Sequence, residues 1–281
     1  MDAGRLLDGL DADQVAAVTS PGAPLAIVAP AGSGKTRVLT RRIAYRVADR
    51  TADAAHILAI TFTRRAAGEL LRRLDELGGR PAPTVGTFHA VAWSVLRRRW
   101  ADQNVRRPPE LLTQPEKLLA DLPALAGRGG RALSPGEAAA EIGWAHARLV
   151  GPERYEGAAT AAGRRPTAGV GAVAAAYAAY EKAKRVQRLV DFDDLLAFVA
   201  REMARDGTFA EVQRWRFRHL FVDEFQDVNA LQRALLEAWR GGRPDLCVVG
   251  DPNQAIYEWN GADPSWIADF AAHHSGATIV R

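Results

Sequence analysis

The chain has 281 residues, of which 48% are hydrophobic and 25% charged, with a formal net charge of +4 and one cysteine. That balance excludes an intrinsically disordered chain and supplies enough apolar material for a sizeable core. Cys247 alone excludes an internal disulfide framework, which fits a reducing, cytoplasmic setting, no apolar run approaches a membrane span, and the opening "MDAGRLLDGLDADQ" is too acidic for a secretory signal. In chain order, "LAIVA" (Leu25 to Ala29) reads as a first strand, and a helix bearing Val38, Leu39, Ile43 and Val47 follows it. "HILAITF" reads as a second strand, with a helix through Leu70, Leu71 and Leu74 behind it. "TVGTF" is a short third strand and "AVAWSVLRRRW" a helix.

Residues 99–188 hold no convincing strand. Helical segments from Pro115 to Leu122 and Pro135 to Leu149 are separated by glycine and proline breaks, and part of the stretch from Gly157 to Ala176 reads as a mobile loop leading into a helix around Tyr177 and Tyr180. Strands return at "HLFVDE", at "DLCVVGD", where Cys247 reads as a small buried hydrophobe, and at the closing "TIV". Strand–helix alternation of this kind argues for an α/β domain with a central parallel sheet covered on both faces. The expected organisation is one such domain, residues 1–98 and 189–281, interrupted by a mostly helical inserted subdomain over 99–188. Arginine clusters recur at Arg64-Arg65, Arg72-Arg73, Arg97-Arg98-Arg99, Arg106-Arg107 and at Arg214, Arg216 and Arg218. Each alone is an ordinary solvated helix face; together they permit a polyanion partner.

"APAGSGKT" (Ala29, Pro30, Ala31, Gly32, Ser33, Gly34, Lys35, Thr36) follows the first strand and opens a helix. That flanking context, rather than the eight letters, marks a phosphate-binding loop. Gly32 and Gly34 let the backbone curl so that N–H groups converge on phosphate oxygens, and the helix adds its positive end. Lys35 is expected to reach the β- and γ-phosphates of ATP, and the Thr36 hydroxyl to ligate Mg²⁺. A second metal ligand must then come from a neighbouring strand end. "VDEFQDVNALQ" offers one: the apolar run His219-Leu220-Phe221-Val222 delivers Asp223 for the metal and Glu224 as general base for the attacking water.

The remaining stretches resemble the N-terminal half of superfamily 1A DNA helicases, the UvrD/Rep/PcrA-like group. "LDADQVAAV" is similar to their adenine-reading motif, with Gln14 as reader; "APAGSGKTR", "TFTRRAAGELLRRL", "GTFHAVAWSVLR", "DFDDLL", "VDEFQDVNALQ" and "VVGDPNQAIYEWNGAD" follow in the family's order. The resemblance implies a RecA-like P-loop domain that binds ATP with Mg²⁺ and single-stranded DNA or single/double-strand junctions, with no membrane partner, in DNA repair or recombination, as part of a 3′-to-5′ helicase. It implies that Gln254 senses the γ-phosphate and couples hydrolysis to DNA movement, with Gln226 and Asp227 on the same coupling surface. Arg37 would lie against the adenine. Phe62, His89, Tyr257 and Trp259 would line a strand path, where stacking on an aromatic ring stabilises each base by roughly 1–3 kcal/mol. Arg64, Arg65, Thr61, Thr63 and Thr87 would meet backbone phosphates. Phe62 and Phe88 also read as core packing.

Two departures from the family pattern stand out. Asn260, in "EWNGAD", occupies the place of a usual arginine, and Arg64-Arg65 replaces an Asn-Lys pair. The sequence stops at "TIVR", where the family's next motif would begin. The resemblance therefore leads us to expect weak binding of ATP·Mg²⁺, very slow hydrolysis and no unwinding by this chain alone. The alternatives are a stand-alone nucleotide- or DNA-binding module, the first part of a helicase–nuclease fusion, and an unrelated phosphotransferase, which leaves "GDPNQAIYEWNGAD" unexplained.

Overall fold

The structure, a computed structural model, describes residues 3–78, 82–125 and 132–281. A first helix, α1 (Ala12–Thr19), is closed by a reciprocal cap between Asp11 and Gln14 and leads to β1 (Leu25–Val28). There follow α2 (Lys35–Ala48), β2 (Ile57–Ile60), α3 (Arg64–Glu76), β3 (Thr84–Gly86) and α4 (Phe88–Asp102). Thr63 and Thr87 each cap the helix that succeeds them by accepting a backbone N–H, from Ala66 and Ala90. The boundary expected at residue 98 falls inside α4.

Then come β4 (Glu110–Leu111), α5 (Pro115–Ala120), α6 (Pro135–Ala147), α7 (Tyr155–Ala161), α8 (Val170–Gln187) and β5 (Leu189–Val190). One expectation is corrected here. Residues 110 and 111 do form a strand, pairing in parallel with β5, because the chain leaving α4 runs beside the chain returning to the core. Within the stretch from Gly157 to Ala176, α7 ends at Ala161 and α8 begins at Val170, so residues 162–169 form the expected non-helical link into the helix that carries Tyr177 and Tyr180. The chain continues through α9 (Phe192–Arg205), α10 (Gly207–Arg216), β6 (His219–Val222), α11 (Ala230–Arg240), β7 (Leu246–Gly250), two one-turn helices and β8 (Thr278–Val280).

Six strands form one parallel sheet in the order β3-β2-β6-β7-β1-β8. The period-2 geometry of a strand sorts its side chains between two layers. Ala26, Leu58, Ile60, Leu220, Val222, Leu246 and Val248 join a core with α4, α9, α10 and α11. Leu25, Ile27, Ile57, Ala59, Phe221, Cys247 and Val249 face the other way, against α1, α2 and α3. Both faces are thus buried, which is why these strands read as unbroken apolar runs. The insertion has its own core around Leu119, Ile142, Trp144, Tyr155, Tyr177 and Tyr180.

A buried ionic knot ties that insertion to the sheet domain. Lys184 of α8, 2% exposed, sits 2.8 Å from Glu181, 2.6 Å from Asp191 and 2.7 Å from Asp194. Asp191 also caps α9 and accepts the Tyr180 hydroxyl at 3.0 Å. Beside it, His146 of α6 lies 3.2 Å from Glu181 and 3.5 Å from Asp193. Burial alone would lower the His146 pKa, but its hydrogen bonds to Asp193 and Glu181 prevail and raise it to about 10.

Candidate nucleotide and nucleic-acid site

The sheet register decides what meets at its carboxyl end. Val28 lies opposite Gly250, and Ile60 opposite Val222. The loops leaving β1, β2, β6 and β7 therefore emerge side by side, where ligands of open parallel sheets bind. The loop from Ala29 to Gly34 is held low by the Ala29 N–H, which donates to the Gly250 carbonyl at 3.2 Å. Gly32 and Gly34 have φ of 78° and 87°, the left-handed region that glycine occupies at little cost. Gly34 is the N-cap of α2 and no side chain caps it, so the N–H groups of the first turn point into open space. The Gln14 amide donates to the Ser33 carbonyl at 3.0 Å, buttressing the loop from behind. Arg37 donates to the Gly9 carbonyl at 2.8 Å and so ties α2 to the segment before α1.

At the mouth of this loop the acid pair and the lysine converge. The Thr36 hydroxyl donates to Asp223 Oδ2 at 3.3 Å, and Lys35 Nζ donates to Gln254 Oε1 at 3.2 Å. The Gln254 amide donates in turn to Asp251. Gln226 spans the β6 and β7 loops: its amide donates to Glu224 Oε2 at 2.9 Å, and its oxygen accepts the Asp251 N–H at 3.0 Å. Glu224 itself has φ of 52°, in the left-handed region, so the backbone turns sharply after Asp223. Asp223 is 4% exposed. Its pKa is pushed up to about 6, first by burial and then by the neighbouring Glu224 carboxylate, against the opposing pull of the Glu224 N–H, the Thr36 hydroxyl and Lys35. A hydroxyl and a buried, under-compensated carboxylate are hard oxygen donors of the kind Mg²⁺ takes, so the residues present fit that ion.

A second depression, of about 220 Å³, adjoins the first and brings together Phe62, Thr87, His89 and Tyr257, with Asn260 on its rim. Thr61 and Thr63 also line it, while Phe88 is buried in the core at 2% exposure. Trp259 is 71% exposed, its ring 6.2 Å from that of Tyr257. Arg64 and Arg65 open α3 just outside the depression, exposed and without a carboxylate partner among the described residues. The loop after β7 belongs to both places. Asp251 and Gln254 anchor it at the phosphate end, and Asp227 accepts the Ile256 N–H at 3.3 Å beside the aromatic depression.

Asp251 is the residue that sequence reasoning missed here. Its signal resembles that of Asp223, an acid immediately after a buried apolar strand, in "VVGD". The bridging geometry of Gln226 had no such signal, since it depends on the β6 and β7 pairing. A cavity of about 630 Å³ lies elsewhere, lined by residues of α6, α8, α9 and α11, and takes in none of the expected site residues.

A parallel sheet buried on both faces, a glycine-curled loop feeding a helix, and an acid pair two strands away define a RecA-like domain. The chain belongs to the UvrD/REP helicase N-terminal domain family, whose model matches residues 10–275. It is 41% identical over 286 aligned positions to ATP-dependent DNA helicase UvrD2 of Mycobacterium tuberculosis, covering 98% of this chain and 41% of that protein. It is 33% identical over 280 positions to ATP-dependent DNA helicase PcrA of Bacillus subtilis, covering 98% of this chain and 37% of the relative. Against ATP-dependent DNA helicase UvrD1 of Mycobacterium leprae the identity is 36% over 293 positions, again covering 98% and 37%. The chain thus spans about two fifths of the length of these curated relatives.

Proposed function

We propose that this chain is the N-terminal ATP-binding and single-stranded-DNA-binding part of an ATP-dependent DNA helicase, with the 3′-to-5′ polarity that its family resemblance implies. The reading rests above all on one observation: Lys35, Thr36, Asp223 and Gln254 come from three separate loops and meet at one strand-end mouth. The glycine loop and the open start of α2 bind phosphate oxygens through backbone N–H groups. Lys35 leaves Gln254 to hold the β- and γ-phosphates. Thr36 and Asp223 would hold Mg²⁺, which supplies neutralising charge between the phosphates. Glu224 takes the proton of the attacking water, and Gln226 fixes its carboxylate for that task. Gln14 and Arg37, which donate to the Ser33 and Gly9 carbonyls, are the residues proposed to meet the adenine.

Gln254 then connects chemistry to DNA. Its partner shifts from Lys35 to a phosphate, and the loop that carries it also carries Tyr257 and Trp259. Those rings, with Phe62 and His89, offer stacking faces to a single strand, at a junction or free, while Thr87, Arg64 and Arg65 supply phosphate contacts. Asn260 contributes no cation. Among the described residues, the side chains bonded around Lys35 and Asp223 include no arginine. An arginine at the transferring phosphoryl group accelerates hydrolysis by ~10³–10⁵, so the 281-residue chain assayed alone is expected to hydrolyse ATP very slowly and to unwind nothing.

Equilibrium binding of a fluorescent ATP analogue, with and without Mg²⁺, tests the reading in the parent and in Lys35→Ala. Binding that needs Mg²⁺ and weakens sharply in the variant supports it. Binding indifferent to both the metal and the lysine would sink it, and a steady-state turnover of several per second with single-stranded DNA would overturn the claim of a slow isolated domain.

A further inference from the structure

The amino-terminal end of the sheet, opposite the nucleotide mouth, carries a concentration of arginines that the proposed ATP and DNA sites do not use. Arg98 comes from α4, Arg214 and Arg216 from α10, Arg218 precedes β6 and Arg243 precedes β7. Two of them have a structural task. Arg214 Nε donates to the Ala238 carbonyl at 3.1 Å, and Arg243 donates to the carbonyls of Phe217, Trp239 and Arg240 at 2.9–3.0 Å. They satisfy the carbonyl end of α11 and complement its dipole. Gly241, with φ of 59°, makes the room: a Cβ there would collide with the Arg214 guanidinium stem.

The other three have no such task. Arg98 and Arg218 are exposed, Arg216 lies over the Phe217 ring with its guanidinium 4.9 Å from the centroid, and none has a carboxylate partner among the described residues. The acids nearby are occupied or do not reach. Asp245 is bonded to Arg46 at 2.6 Å and to His219 at 2.5 Å, and Glu237 to Arg240 at 2.8 Å. Glu211, the sole acid of α10, forms no ion pair with them. The guanidiniums instead repel one another: the Arg216 pKa is lowered by burial and then by Arg98, and that of Arg243 by burial, then by Arg218 and Arg214.

Next to Arg216, on the same helix, stands an exposed aromatic. Trp215 is 61% exposed on α10, with Val212 one turn earlier at 54%. Its ring is propped edge-on against His56, with centroids 4.1 Å apart, so the indole is fixed while a face stays open to solvent. A solvent-facing indole beside Arg216, with Arg98 and Arg218 also free of carboxylate partners among the described residues, offers the two requirements of single-stranded nucleic acid, stacking and phosphate neutralisation.

We propose that this face is a second nucleic-acid contact, on which Trp215 stacks a base and Arg98, Arg216 and Arg218 bind the flanking phosphates of a single strand. It is separate from the aromatic depression at the carboxyl end of the sheet, and it holds whether or not that depression binds DNA.

The test uses the chain with a short labelled oligothymidylate that carries photoactivatable 5-iododeoxyuridine, followed by mapping of the cross-linked peptides. Cross-links on the Trp215 peptide report this proposal, and those on the Phe62 or Tyr257 peptides report the other contact, so the two fail independently. In parallel, the double variant Arg216→Glu, Arg218→Glu is titrated by anisotropy over a range of salt. We expect affinity to fall ~10-fold at low salt and the slope of log affinity against log salt to shrink by about 1–2. Trp215→Ala is expected to lose the cross-link while keeping most of that slope. Circular dichroism melting checks that the variants fold. Cross-links confined to the Phe62 and Tyr257 peptides, with an unchanged salt slope in the double variant, would overturn the proposal. So would arginine-dependent binding of polyglutamate accompanied by no arginine dependence for DNA, which would reassign the face to an acidic protein.

Discussion

The phosphate mouth and the joint of the insertion both bury charge, and they treat it in opposite ways. At the joint, Lys184 is matched by three carboxylates and His146 by two, so each cation is fully compensated. At the mouth, Lys35 has only a neutral amide as partner, and Asp223 stands beside another acid with its pKa pushed up to about 6 by burial and that neighbour. The joint surrounds its two cations with four carboxylates, Glu181 serving both, and so fastens α6 and α8 to the start of α9. At the mouth the pull of Lys35 on Asp223 is outweighed by burial and by Glu224, so the acid is left under-compensated, an arrangement that suits the proposed magnesium triphosphate.

Removing charge should therefore have opposite consequences in the two places. The largest effect is expected for Lys184→Met. It strands the buried Asp191 and the half-buried Glu181 and Asp194, and breaking a buried ionic cluster from one side costs about 3–5 kcal/mol; the variant's chemical-denaturation midpoint should fall accordingly, and an unchanged midpoint would show the knot to be idle. Next comes Lys35→Ala. Loss of one charge-assisted bond to phosphate should weaken Mg²⁺-dependent nucleotide binding about 10–100-fold, while the unliganded protein melts within ~1 kcal/mol of the parent.

The joint also predicts a pH dependence. The folded His146 pKa, raised to about 10, lies above its unfolded value. Its stabilisation is therefore fully present below the unfolded pKa and is lost as pH rises through the folded one. Stability should decline by on the order of 2 kcal/mol between about pH 7 and about pH 9. His146→Gln should start lower and show a flatter profile over that window; parallel profiles would refute the assignment. The smallest effect is the most diagnostic of the contrast. Asp223→Asn relieves the clash with Glu224 and should stabilise the unliganded protein by ~1 kcal/mol, or ~2–4 °C in melting temperature, while Mg²⁺-dependent binding disappears.

Much of this was legible beforehand because it is local. Unbroken apolar runs such as "LAIVA" and "LCVVG" announce strands buried on both faces, and "GSGKT" announces its own curl. The register that sets Val28 beside Gly250 and Val222 beside Ile60 could only be inferred through the need of a phosphate loop for a second metal ligand. What stayed hidden is non-local. The pairing of Glu110 and Leu111 with Leu189 and Val190 joins residues far apart in sequence and is too short to leave a periodic trace. The Lys184 knot draws on α8 and the start of α9, where its members look like ordinary surface charges until packing removes the solvent. The link at residues 162–169 was legible by contrast, because its breaks are local: Gly163 and Gly169 both sit at positive φ, between α7 and α8.

The left-handed backbone at Glu224 carries a further implication. A residue with a Cβ pays ~1–2 kcal/mol to sit there, and glycine would not. Random drift toward glycine would thus be rewarded with a sturdier fold and, on the role proposed for Glu224, punished with a lost proton acceptor. Folding and turnover pull on this one codon from opposite directions, so a thermally hardened descendant of this domain that carries glycine at 224 should be suspected of having given up its chemistry.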